Sequence, residues 1–279
     1  MGIKIFTDSI CDVPDEYVER YGIRVMPLTV NFGDESFKDG IDLTLMEFLA
    51  MLEKSEVLPT TSQVPPAEFF KAYREEIALG NKVISIHGSS QLSGTYNSAV
   101  MAKEQIGEPD IHIIDSMGVS LGAGMLVIKA ARLLEEGLEA IEIVKEIEAS
   151  KEKMKYFFIL DTLKYLQKGG RLSMSASMLG SILNIKPILT VVHGKLELSE
   201  KSRGMKKAIS SLLKTIKENG WSLDGKIVGI NHIADPEHMR LLEEELKREY
   251  SIKEIIRGEV GSVVATHGGP GAVAVHFEI

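Results

Sequence analysis

At 279 residues the chain is long for one hydrophobic core, and its 44% hydrophobic and 26% charged residues exclude a disordered or fibrous protein. A formal charge of −8 argues against a surface built to hold nucleic-acid phosphates. The longest apolar stretch, GVSLGAGMLVIKAA, meets Lys129 short of the roughly 18 residues a membrane helix needs, and the single Cys11 excludes an internal disulfide or a thiolate metal site.

The opening MGIKIFTDSI enters a strand pattern at once, without a charged leader, apolar run and small-residue cleavage site, so a cytoplasmic location is expected. In the first half, IKIFTDS, RVMPLTVNF, KVISIHGSS and IHIIDS read as strands. They alternate with helical patterns over 43–53, 66–79, 93–106 and 119–136. Such alternation predicts a parallel sheet covered by helices, whose ligands bind beyond the carboxyl ends of the strands. Thr7, Asp8 and Ser9 stand at one such end, Ser89, Ser90 and Ser93 at another, and Asp115 and Ser116 at a third. A fourth polar cluster, Thr60, Thr61 and Ser62, precedes a helix starting near Pro66, and the four are expected to converge on one crevice. Asp8 and Asp12 read as capping or loop residues rather than a metal pair. The amphipathic stretch 138–155, with Ile141, Ile143, Val144 and Ile147 largely on one face, closes the first domain.

After this the rhythm changes. KYFFILDT, NIKPILTVVHGKLELSEKSRG, KIVGINHIA and GAVAVHFEI read as strands, and 204–218 and 236–249 as helices. His193-Gly194 between two apolar runs reads as the tight turn of a hairpin. The expected fold class is α/β: an N-terminal parallel-sheet, Rossmann-like domain over 1–153 and a C-terminal α+β domain over 154–279 with a mainly antiparallel sheet.

Three stretches carry chemistry. In GSSQLSGTYNSA the hydroxyls outnumber what one helix cap needs, and free N–H groups at a helix start favour an anion. The turn lacks the glycine spacing of a nucleophile elbow, and no G-x-x-x-x-G-K-[ST] phosphate loop occurs in the chain. In ATHGGPGAV, His267 precedes a glycine-rich loop, where it is either a donor to an anion or a residue exposed at a turn. In DTLKYLQKGGRLS the helix dipole accounts for Lys168 but not for Arg171; a second basic group, Lys201, Arg203, Lys206 and Lys207, follows. Together these suit a phosphate or an acidic partner. No metal-ligand spacing joins the seven histidines. Two other readings stay open: an acyl ester hydrolase with Ser93 as nucleophile and His267 as base, and a phosphate- or nucleotide-binding α/β protein.

With TDSICDVP, TTSQVPP, GSSQLSGTYNSA, DSMGVSLGAG, DTLKYLQKGGRLS and IKPIL in this order, the chain resembles the DegV family over essentially its full length. The resemblance implies a bacterial lipid-binding protein, the subunit of a fatty acid kinase that encloses a long-chain fatty acid in a tunnel near the domain interface. A separate kinase catalytic subunit phosphorylates the carboxyl group to an acyl phosphate for phospholipid synthesis. Position by position, the family's carboxyl-binding residues fall on Thr61, Ser93 and His267, with Ser62 and Gly94 as helpers. Its arginines for the phosphorylated head and for kinase docking fall on Arg171 and Arg203. The resemblance implies no catalytic residue of the chain's own, no metal, no cofactor beyond the bound fatty acid, no nucleic acid partner and no integral membrane segment, with transient membrane-surface contact for lipid exchange. Burial of a tail of some fifteen methylenes contributes on the order of 12 kcal/mol gross, against about 1 kcal/mol net for one hydrogen bond to the head.

Overall fold

The computed structural model describes residues 2–172 and 185–279; Ser173 and Asn184, which end one motif and begin one expected strand, lie outside the described residues. The first half runs β1 (Ile3–Asp8), a 3-10 turn (Ser9–Cys11), α1 (Asp15–Tyr21), β2 (Arg24–Met26), β3 (Thr29–Phe32), β4 (Glu35–Lys38) and α2 (Leu45–Lys54). It continues through β5 (Thr60–Ser62), α3 (Pro66–Ala78), β6 (Lys82–His87), α4 (Thr95–Ile106), β7 (Ile111–Asp115), α5 (Ser120–Glu135) and α6 (Ala140–Lys151). Local chemistry sets several boundaries. Thr44 and Glu47 close a reciprocal capping box on α2, and Pro66 opens α3 where its missing N–H has no partner to lose.

Strands β2, β1, β6 and β7 pair in that order, all parallel, as the alternation predicts. RVMPLTVNF divides, however: Arg24–Met26 stays in this sheet, whereas Thr29–Phe32 joins β4 and β5 in a separate three-stranded antiparallel sheet. The topological switch point lies between β1 and β6, and it is filled rather than open. There Asp8 meets His87 at 2.8 Å, and Ile10 lies so close over Gly88 that a Cβ would fall 2.3 Å from its Cδ1.

The second half contributes β8 (Met154–Ile159), α7 (Lys164–Lys168), β9 (Ile185–Val192), β10 (Lys195–Arg203), α8 (Met205–Glu218), β11 (Ile227–Ile233), α9 (Pro236–Glu249), β12 (Glu254–Glu259), α10 (Ser262–Gly268) and β13 (Ala272–Glu278). Its six strands order as β10-β9-β8-β13-β11-β12, antiparallel except for β11 with β12. At the β9–β10 turn, His193 (φ 47°) and Gly194 (φ 77°) both take left-handed backbone, the geometry that matches strand twist in a two-residue hairpin.

Helix α5 packs against strands of both large sheets. Leu121, Leu126 and Ile128 share one core with Ile84 and Ile86 on one side and Tyr156 on the other. Such burial all round requires small residues at the closest approaches. A Cβ on Gly124 would lie 2.3 Å from the carbonyl oxygen of Cys11, a backbone atom that cannot rotate away. Gly124→Ala is therefore expected to destabilise the fold by about 1–3 kcal/mol, read as a lower urea midpoint at unchanged slope. Since Cys11 follows Ile10, the same shift would disturb a wall of the cavity described next.

Candidate functional site

Between the carboxyl ends of the parallel strands and one face of the six-stranded sheet lies a cavity of about 360 Å³. Most of its wall is aliphatic, with Ile10, Leu28, Leu160, Leu166, Leu189 and Val263 among the lining side chains. Polar groups collect where three segments meet: the end of β5 with Thr61, Ser62 and Gln63, the start of α4 with Ser93 and Gly94, and α10 with His267. Arg171 joins them. Six of the seven site residues expected from the sequence thus border one space; Arg203 is exposed at the end of β10 and does not.

The details assign each group a task. Thr61 Oγ1 and His267 Nε2 are 2.9 Å apart, and Nδ1 of that ring is buried with no partner among the described residues. A buried orphan N–H is costlier than an orphan lone pair, so the proton belongs on Nε2 and is donated to Thr61. The Thr61 hydroxyl hydrogen is then available to a ligand. Arg171 is held by the carbonyls of Leu92 (Nε, 3.2 Å) and Gly169 (Nη1, 2.6 Å). Ser93 Oγ accepts from Thr95 N at 3.2 Å and lies 3.0 Å from Thr95 Oγ1. Gly94 is required by proximity: a Cβ there would sit 1.9 Å from Gln63 Oε1, and Gln63 is tied to Ser98 Oγ at 2.8 Å. Ser62 borders the cavity, yet its hydroxyl accepts from Asn31 Nδ2 at 3.0 Å on the exposed side of β5.

Burial, with the Arg171 charge as a smaller second cause, pushes His267 down from 6.5 to about 4. Its folded value lies below the unfolded one, so the neutral ring contributes its full stability above about 6.5, where both states are unprotonated. That contribution is lost as pH falls toward about 4, because the unfolded chain takes up the proton first. Between about pH 7 and about pH 4.5, wild type is expected to lose more unfolding free energy than His267→Gln, measured by urea titration at each pH.

Convergence of four polar clusters does not occur. Ser89 is buried and donates to the carbonyl of Gly194 at 2.8 Å, and Ser90 N–H is directed at the Asp115 carboxylate at 3.3 Å. Thr7, Asp8 and Ser9 face a neighbouring cleft shared with Asp12, Asp39 and Glu259. His267 lies on a helix, not in a loop. For ester hydrolysis His267 would have to engage Ser93 and be oriented by an acid, whereas it engages Thr61 and no described residue bonds its Nδ1. A Ser-His-Asp alignment does exist elsewhere, Ser85–His87 at 2.6 Å and His87–Asp8 at 2.8 Å, but all three are buried and Ser85 also accepts from Tyr73. None of the three lines the cavity. Among the described residues, no group of three or more His, Cys, Asp or Glu is placed to hold a metal, and no helix is long and apolar enough to cross a membrane.

Sequence reasoning missed a second polar group on the cavity wall, Ser120 and Asn231, joined by a 2.7 Å hydrogen bond from Asn231 Nδ2. Its available signal was Asn231 set inside the apolar strand IVGINHI.

The arrangement suits an anion with a long apolar body: hydroxyls and an arginine at one end, aliphatic walls beyond. Comparison with known proteins agrees in kind. A family model described as an uncharacterised protein of the DegV family matches residues 2–279. A DegV domain-containing protein of Caldanaerobacter subterraneus subsp. tengcongensis is 40% identical over 276 residues, covering 99% of this chain and 98% of its own. Among solved structures, a fatty-acid-binding DegV family protein from Thermus thermophilus superposes with a TM-score of 0.93 at 33% identity, covering 100% of both chains. DegV of Bacillus subtilis, described as a fatty acid binding protein, gives 0.88 at 34% identity with 100% of both chains covered.

Proposed function

The chain belongs to the DegV family, and on that premise we propose that its cavity holds a long-chain fatty acid, carboxyl group at Thr61, Ser93 and His267, and presents that group to a separate kinase subunit. The observation that carries the reading is the make-up of the cavity, where Thr61, Ser93, Arg171 and His267 meet on one part of a wall that is otherwise mostly aliphatic. A desolvated carboxylate needs several donors at once, and these come from the Thr61 and Ser93 hydroxyls, the backbone at Gly94 and the start of α4. Arg171 offsets the charge. His267, neutral at physiological pH, orients Thr61 rather than transferring a proton.

Kinase docking is assigned to the exposed basic surface at the β10–α8 junction, with Arg203 at its edge and Lys206 and Lys207 in the first turn of α8. An acidic or phosphate-bearing partner complements that charge. The phosphoryl-transfer machinery belongs to the partner, and this chain supplies position and a water-poor site.

Mass spectrometry of an organic extract from the purified protein tests the first half: a near-stoichiometric long-chain fatty acid is expected. An extract without one, together with no thermal response to added octadecanoic acid, overturns the reading. For the second half, Arg203→Glu is expected to bind octadecanoic acid like wild type and to slow acyl phosphate formation by the kinase; unchanged turnover removes the basic surface from the mechanism.

A further inference from the structure

We propose that Asp12 and Asp39 are positioning residues of the ligand site: their carboxylates clamp the start of α10 and thereby hold His267, at the far end of the same helix, against Thr61. This rests on the fatty-acid reading and adds to it the residues that set the head-group donors in place from outside the cavity.

Helix α10 cannot fix its own place. It has seven residues, Val263, Val264 and Thr266 among them, whereas an isolated helix needs about 12–15 of good propensity to be even marginally stable. Yet Val263, Val264, His267 and Gly268 line the cavity, so this wall takes its position from its anchors. Among the described residues, α10 and the Gly261 that precedes it are tied to the first half of the chain by hydrogen bonds at two places only, the His267–Thr61 contact and the clamp. Asp12 Oδ1 accepts from Gly261 N–H, and Asp39 Oδ1 accepts from Ser262 N–H, each at 2.8 Å. Ser262 N–H is one of the donors that a first helical turn leaves unpaired.

The frame behind the clamp is the small antiparallel sheet. Asp39 directly follows β4, and its N–H donates to the carbonyl of Leu28 at 2.9 Å. Strand β4 pairs with β3, and β3 sets Val30 opposite Thr61 on β5. One sheet thus carries both the Asp39 jaw and the hydroxyl that His267 must reach, and α10 docks on it at both ends. The other jaw, Asp12, accepts from the Ser120 hydroxyl. Asp12 and Asp39 are 8% and 4% exposed and line the neighbouring cleft with Gly261, whereas Val260 and Val263 line the cavity. Arg257, the arginine of that cleft, donates from Nε to Glu243 at 2.8 Å instead. Burial holds both carboxyl groups above the usual carboxylate range. Apolar side chains would fill this space as well; what acceptors add is a fixed place for two backbone N–H groups. The lever is short, since His267 lies about 7.5 Å along the axis from Ser262, and a shift of about 1 Å at the clamp carries to the 2.9 Å contact with Thr61.

The test compares binding of octadecanoic acid and of octadecan-1-ol, which has the same tail without the anionic head. Asp39→Leu removes the acceptor at nearly constant shape and is expected to lower the preference for the acid about fivefold, the worth of one hydrogen bond, with the alcohol bound as in wild type. Asp39→Asn, which keeps an acceptor for Ser262 N–H, is expected to restore the preference. In a Thr61→Val background Asp39→Leu is expected to lower it no further, because both changes act through one contact. Where Asp39→Leu fails to fold, Gly261→Ala serves in its place: a φ of −68° accepts alanine, and the new Cβ would stand 3.0 Å from Asp39 Oδ2 and 3.2 Å from Asp12 Oδ1, wedging the jaws. An unchanged preference in the folded variant, an equal loss for acid and alcohol, or a loss that persists in Thr61→Val overturns the clamp and leaves the fatty-acid reading standing. Failure of octadecanoic acid to bind wild type overturns both.

Discussion

Octadecanoic acid is expected to bind about 200-fold more tightly than tetradecanoic acid, because four methylenes at roughly 0.8 kcal/mol each amount to about 3 kcal/mol. The aliphatic wall from Ile10 and Leu28 to Leu189 and Leu196 is the structural reason: each added methylene leaves water for contact with carbon. Against this, Thr61→Val or Ser93→Ala removes one hydrogen bond of several, worth about 1 kcal/mol and so about fivefold in affinity. The tail therefore sets how tightly the ligand is held and the head sets where its carboxyl lies. Isothermal titration across an even-numbered series of acids measures the slope. A flat profile, together with loss of all binding in Thr61→Val, would reverse these roles.

Stripping the protein of ligand is expected to lower its melting temperature by about 5–10 °C relative to protein at a free octadecanoic acid concentration one hundred times its dissociation constant. Linkage gives about 2.7 kcal/mol at that ratio, and a chain of this size shifts by about 2–4 °C per kcal/mol. The cavity wall joins both large sheets: Ile10, Val119 and Ser120 come from the first half, Phe158, Leu189 and Val273 from the second. Filling it adds contacts to both at once. Differential scanning calorimetry of extracted and reloaded protein provides the measurement, and coincident transitions would mean that the chain does not occupy this cavity.

Much of this architecture was legible in the residues because their signals are local. Pro66 opens α3, Asp235-Pro236 opens α9 with the Asp235 carboxylate accepting from His238 N–H, and His193-Gly194 makes the hairpin. Three features were not legible, each for a physical reason. The three-stranded sheet depends on Pro27 and Leu28 breaking one apolar run into two strands, and on Thr60–Ser62, a three-residue strand too short and too exposed to show alternation. Helix α10 carries Val263, Val264 and Thr266, residues of poor helix propensity, and runs straight into glycines. Its burial against β3 and α7 outweighs that preference and puts His267 beside Thr61. The hydroxyl-rich turn divides its labour in a way composition cannot express. Ser93 borders the cavity, whereas Ser89 ties the turn to a strand pair more than a hundred residues away.

That last contact constrains how cargo comes and goes. Ser89 grips the hairpin tip at Gly194, 105 positions along the chain, and the approach is so close that a methyl group on Gly194 would lie 2.5 Å from the serine oxygen. Here the first and second halves of the chain are pinned edge to edge, and parting them along this rim breaks that bond, at about 1 kcal/mol, as well as the packing at the hairpin tip. On the fatty-acid reading proposed above, a ligand entering or leaving along this rim has to break that bond first, whereas passage at another margin leaves it intact.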